Sequence, residues 1–365
     1  MNSTTNIFHA ITKTQQKYVF RRSNFKTVAY SLLCVLGLYA LVANGVVLYL
    51  KRTQRKNTKA KGSLIAFSRF HVISSYVESL SVSHFLCACL VIPLVVMQQF
   101  FDLIDTDFKC KLIRCIYYFF PLVTTNNLFV IGIERYIAVF HPQKVPSSRI
   151  LRCTIACAWI LAAPVSIILS AMYNLIRVDI DEETYTMKCL YDKASLAKKV
   201  VFLVLAVCYY IIPSVLLSVL NIKIARYLSR LQTKSVGKKN WIFHGVSTFV
   251  VLIFCFIIPF MVFFVSSVIN IYQIPNLKFD IPIGHIGLIA VYANSAISPT
   301  VLLLNMKDLR VMLKDLLGCM RNNPGNKTQD VDMQERPNKK YGVNSDTDIE
   351  ESVRGERHQI GISAI

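Results

Sequence analysis

The stretch IERYIAVFHP, residues 133–142, begins where a long uncharged run, Cys115–Ile133, ends. Glu134 and Arg135 are the first charges after that run. An arginine in a lipid-embedded helix is costly unless it is paired or close to water, and an adjacent acid lowers the cost. The run is therefore predicted to be a helix that crosses a bilayer and reaches one surface at Arg135. Alone, the same residues also fit an arginine that merely extends to the surface from a helix end.

The composition of the whole chain supports a membrane protein. Its 365 residues are 54% hydrophobic and 17% charged, whereas a soluble domain has roughly 45–50% apolar and about 25% charged residues. A disordered chain would be poor in apolar residues and rich in charge. The composition therefore excludes a disordered protein and argues against a soluble enzyme, and no catalytic, cofactor-binding or metal-binding pattern is present.

Seven uncharged runs are long enough to cross a bilayer core, which needs about 20 apolar residues of helix. They are Thr27–Leu50, Ser79–Phe101, Cys115–Ile133, Cys153–Ile176, Val200–Ile222, Asn240–Leu277 and Ile281–Met306. The sixth run is long enough to include an outer turn at Pro275. These runs predict one membrane domain with seven spans and a tail at each end.

The distribution of basic residues predicts an outer N-terminus. With that orientation, most Lys and Arg residues lie in the inner segments, as the positive-inside rule requires. The net charge of +20 is then explained by anionic lipid of the inner leaflet, and no nucleic-acid partner is expected. Asn2 begins an outer glycosylation sequon. Residues 1–26 lack the apolar core of a signal peptide, so the first helix is expected to act as the insertion signal.

Taken together, these features resemble a rhodopsin-like (class A) G-protein-coupled receptor, of which this chain is a divergent member. The Glu-Arg-Tyr sequence at the inner end of the third span carries the resemblance. Other positions of this sequence match the family's landmarks within the spans: Asn44, Trp159, Pro213, Pro259 and Pro299. The resemblance implies an all-α membrane protein, a seven-transmembrane helix bundle with a short amphipathic eighth helix.

The resemblance also implies partners, a disulfide and a location. It predicts a plasma-membrane receptor that binds an extracellular ligand and engages a heterotrimeric G protein and arrestin, with a disulfide between Cys110 and Cys189. The residues implied in G-protein coupling are Glu134, Arg135, Tyr136, Asn221 and Lys239. Because Lys238 and Lys239 stand where many relatives carry an acid, Arg135 is left with Glu134 as its nearby carboxylate, which favours basal signalling.

The segments outside the spans have separate predictions. The expected domains are an outer tail at 1–26, the receptor domain at 27–304, an amphipathic membrane-surface helix at 305–320 and a disordered tail at 321–365. Cys319 is either a palmitoylation site, as is common in the family, or an ordinary cytosolic thiol. The terminal sequence Ser363-Ala364-Ile365 resembles a ligand of PDZ domains, which capture a C-terminal carboxylate.

Several positions depart from the family pattern. His84 replaces the buried Asp that anchors sodium, and a neutral imidazole is a poor ligand for a hard cation. Ser298 replaces the Asn before Pro299, and Leu302 and Asn221 replace two tyrosines that act as switches. These losses leave open an alternative, a non-signalling or transport-type seven-span protein. A transporter, however, is expected to keep charges along its pathway.

The expected ligand site is aromatic with a few polar groups. Tyr117 stands where amine receptors carry an Asp, and Tyr292 stands where opsins carry the lysine that holds retinal. An amine ligand and a photoreceptor are therefore disfavoured, and a peptide or lipid is favoured. An acidic run near Asp179 would suit a basic peptide if it is more than a solvated loop. By resemblance, the cavity is lined by Gln98, Tyr117, Tyr118, Pro121, Tyr209, Phe260, Phe264, His285 and Tyr292.

Overall fold

The computed structural model describes residues 16–17, 24–60, 64–101, 103–141, 143–144, 146–179, 184–234, 240–272 and 282–321. Within those ranges the chain forms eight long helical segments and three strands. The helices are α1 (Asn24–Ala60), α2 (Leu64–Leu86, a π turn at Cys87–Val91, and Ile92–Phe100), α3 (Asp107–Phe140), α4 (Ser148–Ile160 and Ala162–Ser170), α5 (Leu196–Ala206, a π turn at Val207–Ile211, and Ile212–Lys234), α6 (Asn240–Tyr272), α7 (Pro282–Asn305) and α8 (Lys307–Arg321). The strands are β1 (Gln16–Lys17), β2 (Tyr173–Asp179) and β3 (Thr184–Tyr191).

Seven helices are long and apolar enough to cross a membrane, which confirms the predicted seven-helix bundle. Large apolar side chains on their outer faces are exposed: Leu38 is 66% and Ile160 is 67% exposed. A soluble protein rarely exposes continuous apolar surface of this kind, so these faces meet lipid.

Among the described residues the bundle contains three packed apolar clusters, of which two are large and one, around Leu169 and Phe202, is smaller. The outer cluster contains Leu33, Val91 and Phe120, and the inner one contains Leu80 and Phe256. Because lipid tails are as apolar as leucine, helices in a bilayer associate through close packing and polar links rather than through the hydrophobic effect. One such link joins three helices: Trp159 Nε1 of α4 donates to Ser79 Oγ of α2, 3.1 Å away, and that hydroxyl donates to Asn127 Oδ1 of α3 at 2.9 Å.

The helix irregularities lie at prolines. The π turns Cys87–Val91 and Val207–Ile211 end just before Pro93 and Pro213. Proline lacks an N–H and its ring crowds the preceding turn, so the turn widens and the carbonyls find other donors. Pro121, Pro259 and Pro299 lie inside helices that continue through them, and neighbouring groups in a bundle tolerate this.

The fourth uncharged run does not remain helical to its end. The prediction extended it to Ile176, but α4 ends at Ser170 and β2 begins at Tyr173. β2 pairs antiparallel with β3, with Leu175 opposite Cys189, and β1 pairs parallel with β3. Lack of charge cannot distinguish the end of a span from an outer strand, and here the strand pairing satisfies the backbone groups.

Two compact units divide the chain at residue 318. Of the second unit, 319–365, the structure describes only the last residues of α8. Four positions on which sequence-based predictions depend lie outside the described residues of either unit: the Asn2 sequon, the Pro275 turn, Lys239 and the Ile365 terminus. Cys319 lies within α8, but its side chain is also outside the description.

Candidate functional site

The inner end of α3 carries a close ion pair. Arg135 Nη2 lies 2.7 Å from Glu134 Oε2, and Arg135 is only 8% exposed. A buried charge of this kind is stable only when it is paired and hydrogen-bonded. The predicted pairing of Glu134 with Arg135 is therefore confirmed.

Aromatic contacts connect the same end of α3 with α5. The rings of Tyr136 and Phe140 lie 4.7 Å apart, and Phe140 lies 5.0 Å from Tyr227 of α5. Asn221 of α5 is buried, and its Nδ2 group has no hydrogen-bond partner among the described residues. The structure thus connects Tyr136 with α5 through Phe140.

A second polar cluster at the inner surface was not singled out from the sequence. Lys51 at the inner end of α1 is fully buried, and its Nζ donates to Gln54 Oε1 at 3.2 Å. Gln54 Nε2 donates to Asp308 Oδ2 of α8 at 3.3 Å, and Arg55 lies 3.5 Å from Glu78 of α2. The sequence treats these residues only as part of the inner basic charge, because their pairing depends on where α8 lies.

Polar side chains occupy the middle of the bundle. Asn44 Nδ2 of α1 donates to the carbonyls of Ala40 and of Ser295 at 2.7 and 2.9 Å. His84 Nδ1 of α2 lies 3.2 Å from Ser295 Oγ of α7. These bonds join three helices where lipid offers no alternative partner.

A cavity of about 10 Å³ lies beside this polar group, which is on the order of the space one water molecule needs. Its lining includes His84, Thr124, Asn294 and Ser295. Ser298 Oγ donates to Asn294 Oδ1 at 3.3 Å. The lining residues do not fit sodium, because hard cations take oxygen ligands and His84 provides nitrogen where the family has a carboxylate.

Six of the residues predicted to line the ligand site lie near the central cavity or contact one another or β2. Tyr117 donates to Gln98 Oε1 at 2.8 Å, and Pro121, Phe260 and Tyr292 line the central cavity. The hydroxyls of Tyr118 and of Tyr173 in β2 lie 2.6 Å apart. These residues lie in the bundle interior or contact the β2–β3 hairpin.

The remaining predicted residues make other contacts. His285 of α7 packs edge-on against Phe25 and Tyr30 of α1, at 6.0 and 5.9 Å. Phe264 packs 5.6 Å from Tyr210. Tyr209 packs against the same apolar cluster as Tyr118 and Tyr173. Tyr210, which was not predicted, donates to the carbonyl of Ile257 at 2.9 Å.

Besides the contact of the Tyr118 and Tyr173 hydroxyls, three further links among the described residues fasten the outer hairpin to α3. The predicted disulfide joins Cys110 to Cys189, with Cα atoms 5.5 Å apart. Asp107 Oδ1 accepts from the Leu175 N–H at 3.1 Å, and Arg114 Nη2 donates to the Cys189 carbonyl at 2.9 Å. The sequence indicates only the first link, since the other two depend on the strand register.

A further ion pair fixes the start of α5 to the end of the hairpin. Lys198 Nζ lies 2.9 Å from Asp192 Oδ2. The hydrogen bond from Lys198, helped by the Ala194 N–H, holds the pKa of Asp192 below its usual range. The carboxylate is therefore ionised at every physiological pH.

The family model described as 7 transmembrane receptor (rhodopsin family) matches residues 64–302, more than half of the chain. The match extends from the start of α2 to Leu302 in α7 and contains the Glu134–Arg135 pair and the outer disulfide. The family consists of multi-pass plasma-membrane receptors that signal through heterotrimeric G proteins and engage arrestins. With seven spanning helices and this match, the chain belongs to the rhodopsin family of seven-transmembrane receptors.

Proposed function

We propose that this receptor, with its N-terminus outside the cell, binds an extracellular peptide or lipid in the outer half of the bundle and activates a heterotrimeric G protein. The buried Arg135–Glu134 ion pair at the inner end of α3 carries the proposal. The residues assigned to coupling are Glu134, Arg135, Tyr136, Asn221 and Lys239.

The mechanism begins with two states of the inner end. In the closed state Glu134 holds Arg135 among the helices. When α6 swings outward, the guanidinium becomes free to extend toward the G protein, which is a rigid-element switch. Pro259 interrupts the hydrogen bonding of α6 between the outer and inner halves, so it provides a position about which the inner half moves.

The ligand preference rests on the residues above the central cavity. Tyr117 donates to Gln98, and the surrounding side chains are aromatic. A cationic amine would require a carboxylate on α3, whereas this surface provides hydroxyl and amide groups on an apolar wall. Such a lining suits the polar groups of a peptide or lipid.

The test is guanine-nucleotide exchange on membranes that contain the full-length receptor, together with arrestin recruitment during a ligand screen. Arg135→Ala is expected to abolish exchange at unchanged surface level. Arg149→Ala is the matched control, since it removes an exposed charge at the start of α4 and should leave exchange unchanged. Ion or solute flux without nucleotide exchange or arrestin recruitment would instead support the transport-type alternative.

A further inference from the structure

Arg114 has an unusual position at the outer end of α3. It follows Cys110 by one helical turn, so its side chain lies on the same face as the disulfide. Its guanidinium lies 4.7 Å from the ring centre of Tyr173 in β2 and 5.7 Å from that of Tyr117. A cation at such distances is attracted to the aromatic faces.

The hydrogen bonds of Arg114 leave most of its donors unused. A guanidinium has five N–H donors, and the described contacts use one, from Nη2 to the Cys189 carbonyl. The Nε group is buried and has no partner among the described residues. No carboxylate of the described part of the chain lies within ion-pair distance of Arg114, although charges in this environment are normally paired.

Another outer arginine provides a comparison. Arg177 in β2 also lies over an aromatic ring, 4.0 Å from the centre of Tyr185, but it has an acid partner, with Nε 3.0 Å from Asp179 Oδ1. Among the described residues, an acid partner is therefore present at the exposed Arg177 and absent at the half-buried Arg114. An acidic group of a ligand would supply the partner that the described residues do not provide.

Tyrosines from three helices pack in the same region as Arg114. Tyr30 of α1, Tyr117 of α3 and Tyr292 of α7 belong to one buried cluster, and the Tyr118 hydroxyl lies 2.6 Å from that of Tyr173, over whose ring Arg114 lies. Tyr30 and Tyr292 are buried. A guanidinium with unused donors close to tyrosine hydroxyls matches the acceptor pattern of a carboxylate or phosphate.

The surroundings beneath Arg114 are apolar. Tyr30, Tyr117 and Tyr292 belong to the same cluster as Leu33 and Val91. From this geometry we propose that Arg114 binds the acidic head group of the receptor's ligand, and that the ligand is an acidic amphiphile whose apolar body contacts the outer cluster. A fatty carboxylate and a lipid phosphate monoester share this chemistry. The proposal rests on the proposed function only in placing the ligand in the outer half of the bundle.

The first test uses the purified full-length receptor in neutral nanodiscs. Thermal stability is measured with oleate, with oleoyl lysophosphatidate, and with methyl oleate and monoolein as neutral probes of the same chain length. Binding to the folded state raises the melting temperature, by on the order of 5 °C for an acidic probe in about 100-fold excess over its Kd. The neutral probes are expected to give no rise. The acidic probe that stabilises more identifies carboxylate or phosphate as the preferred group.

Variants test the assigned residue. Arg114→Gln should lower the apparent affinity for the acidic probe by about 10–100-fold, which is the usual effect of one charged hydrogen-bonding partner. Tyr292→Phe should weaken it by several-fold, because only one hydroxyl is lost. Arg177→Gln, which removes the same charge from the exposed hairpin, should leave the affinity unchanged.

Two outcomes would overturn the proposal: no acidic probe stabilises the wild-type receptor, or the neutral probes stabilise it equally. If Arg114→Gln fails to fold, the comparison of acidic and neutral probes on the wild type decides. Since binding is measured without a G protein, a receptor that binds the acidic probe but never promotes nucleotide exchange would contradict the proposed function and leave this inference intact.

Discussion

The Nδ1 atom of His84 and the Oγ atom of Ser295 lie 3.2 Å apart and connect α2 to α7 in the middle of the bundle. Ser295 also accepts from Asn44 through its backbone carbonyl. The two residues are 211 positions apart in the sequence. Their hydrogen bond lies at the position of the family's buried, sodium-binding carboxylate.

Ligand affinity and basal signalling should not respond to sodium in particular. His84 removes the anionic oxygen that a sodium ion needs. The measurement compares both properties in sodium and in potassium at equal ionic strength. His84→Asp restores the carboxylate beside Asn294 and Ser298, so it should introduce a sodium response. A sodium-specific response of the wild type would refute this prediction.

The effects of the two cysteine substitutions on surface level should not be additive. Cys110→Ser and Cys189→Ser each remove the same bridge, so each should lower the surface level, and the double variant should be no worse than either single one. Removing a native disulfide typically costs about 2–5 kcal/mol. Cell-surface labelling measures the effect. Clearly additive losses would show that the two cysteines act separately.

A small side chain at Gly132 allows α3 and α5 to approach closely. A Cβ atom there would overlap Leu217 Cδ2, whereas at Gly45 it would reach Phe85 Cε2 at an ordinary 3.8 Å. Gly132→Ala should therefore reduce stability by about 1–3 kcal/mol, seen as a lower melting temperature of the purified receptor. Gly45→Ala is the matched control and should have a much smaller effect. Equal melting temperatures for the two variants would contradict this packing argument.

Basal nucleotide exchange should depend on the charge at residue 239. Two like charges about 10 Å apart repel by on the order of 1–2 kcal/mol at an effective dielectric near 20, which shifts a two-state equilibrium by roughly tenfold. Lys239→Glu should thus lower basal exchange by several-fold to tenfold, and Arg135→Ala should abolish it. The wild-type receptor could instead reach the surface without basal exchange and show no response to Lys239→Glu. That result would exclude an effect of the residue 239 charge on Arg135.

The membrane architecture was predictable because a bilayer imposes a simple rule. Seven uncharged runs separated by charged segments predict the number of spans, and the adjacent charges of Glu134 and Arg135 mark one end of the third span. The disulfide was also predictable, since the resemblance placed both cysteines on the outer side. These properties depend on residue type and on position along the chain.

The contacts between distant residues were not predictable in the same way. The role of Arg114 depends on the Cys189 carbonyl and on rings from β2 and α3, which come together only after the hairpin pairs. The cluster around Lys51 depends on the position of Asp308 in α8. The end of α4 at Ser170 was missed because Tyr173–Ile176 is as uncharged as a span, and only strand pairing shows its conformation.

The π turn at Cys87–Val91 changes the angular phase of the outer part of α2. One additional residue in a turn rotates every side chain beyond it by about 100° relative to an uninterrupted α-helix. Gln98 lies beyond that turn and still meets Tyr117. Residue positions transferred by counting from His84 are therefore out of phase at the outer end of α2, and the same applies beyond Val207–Ile211 in α5. Mutational maps of the outer surface must follow the observed contacts of each side chain rather than helical periodicity.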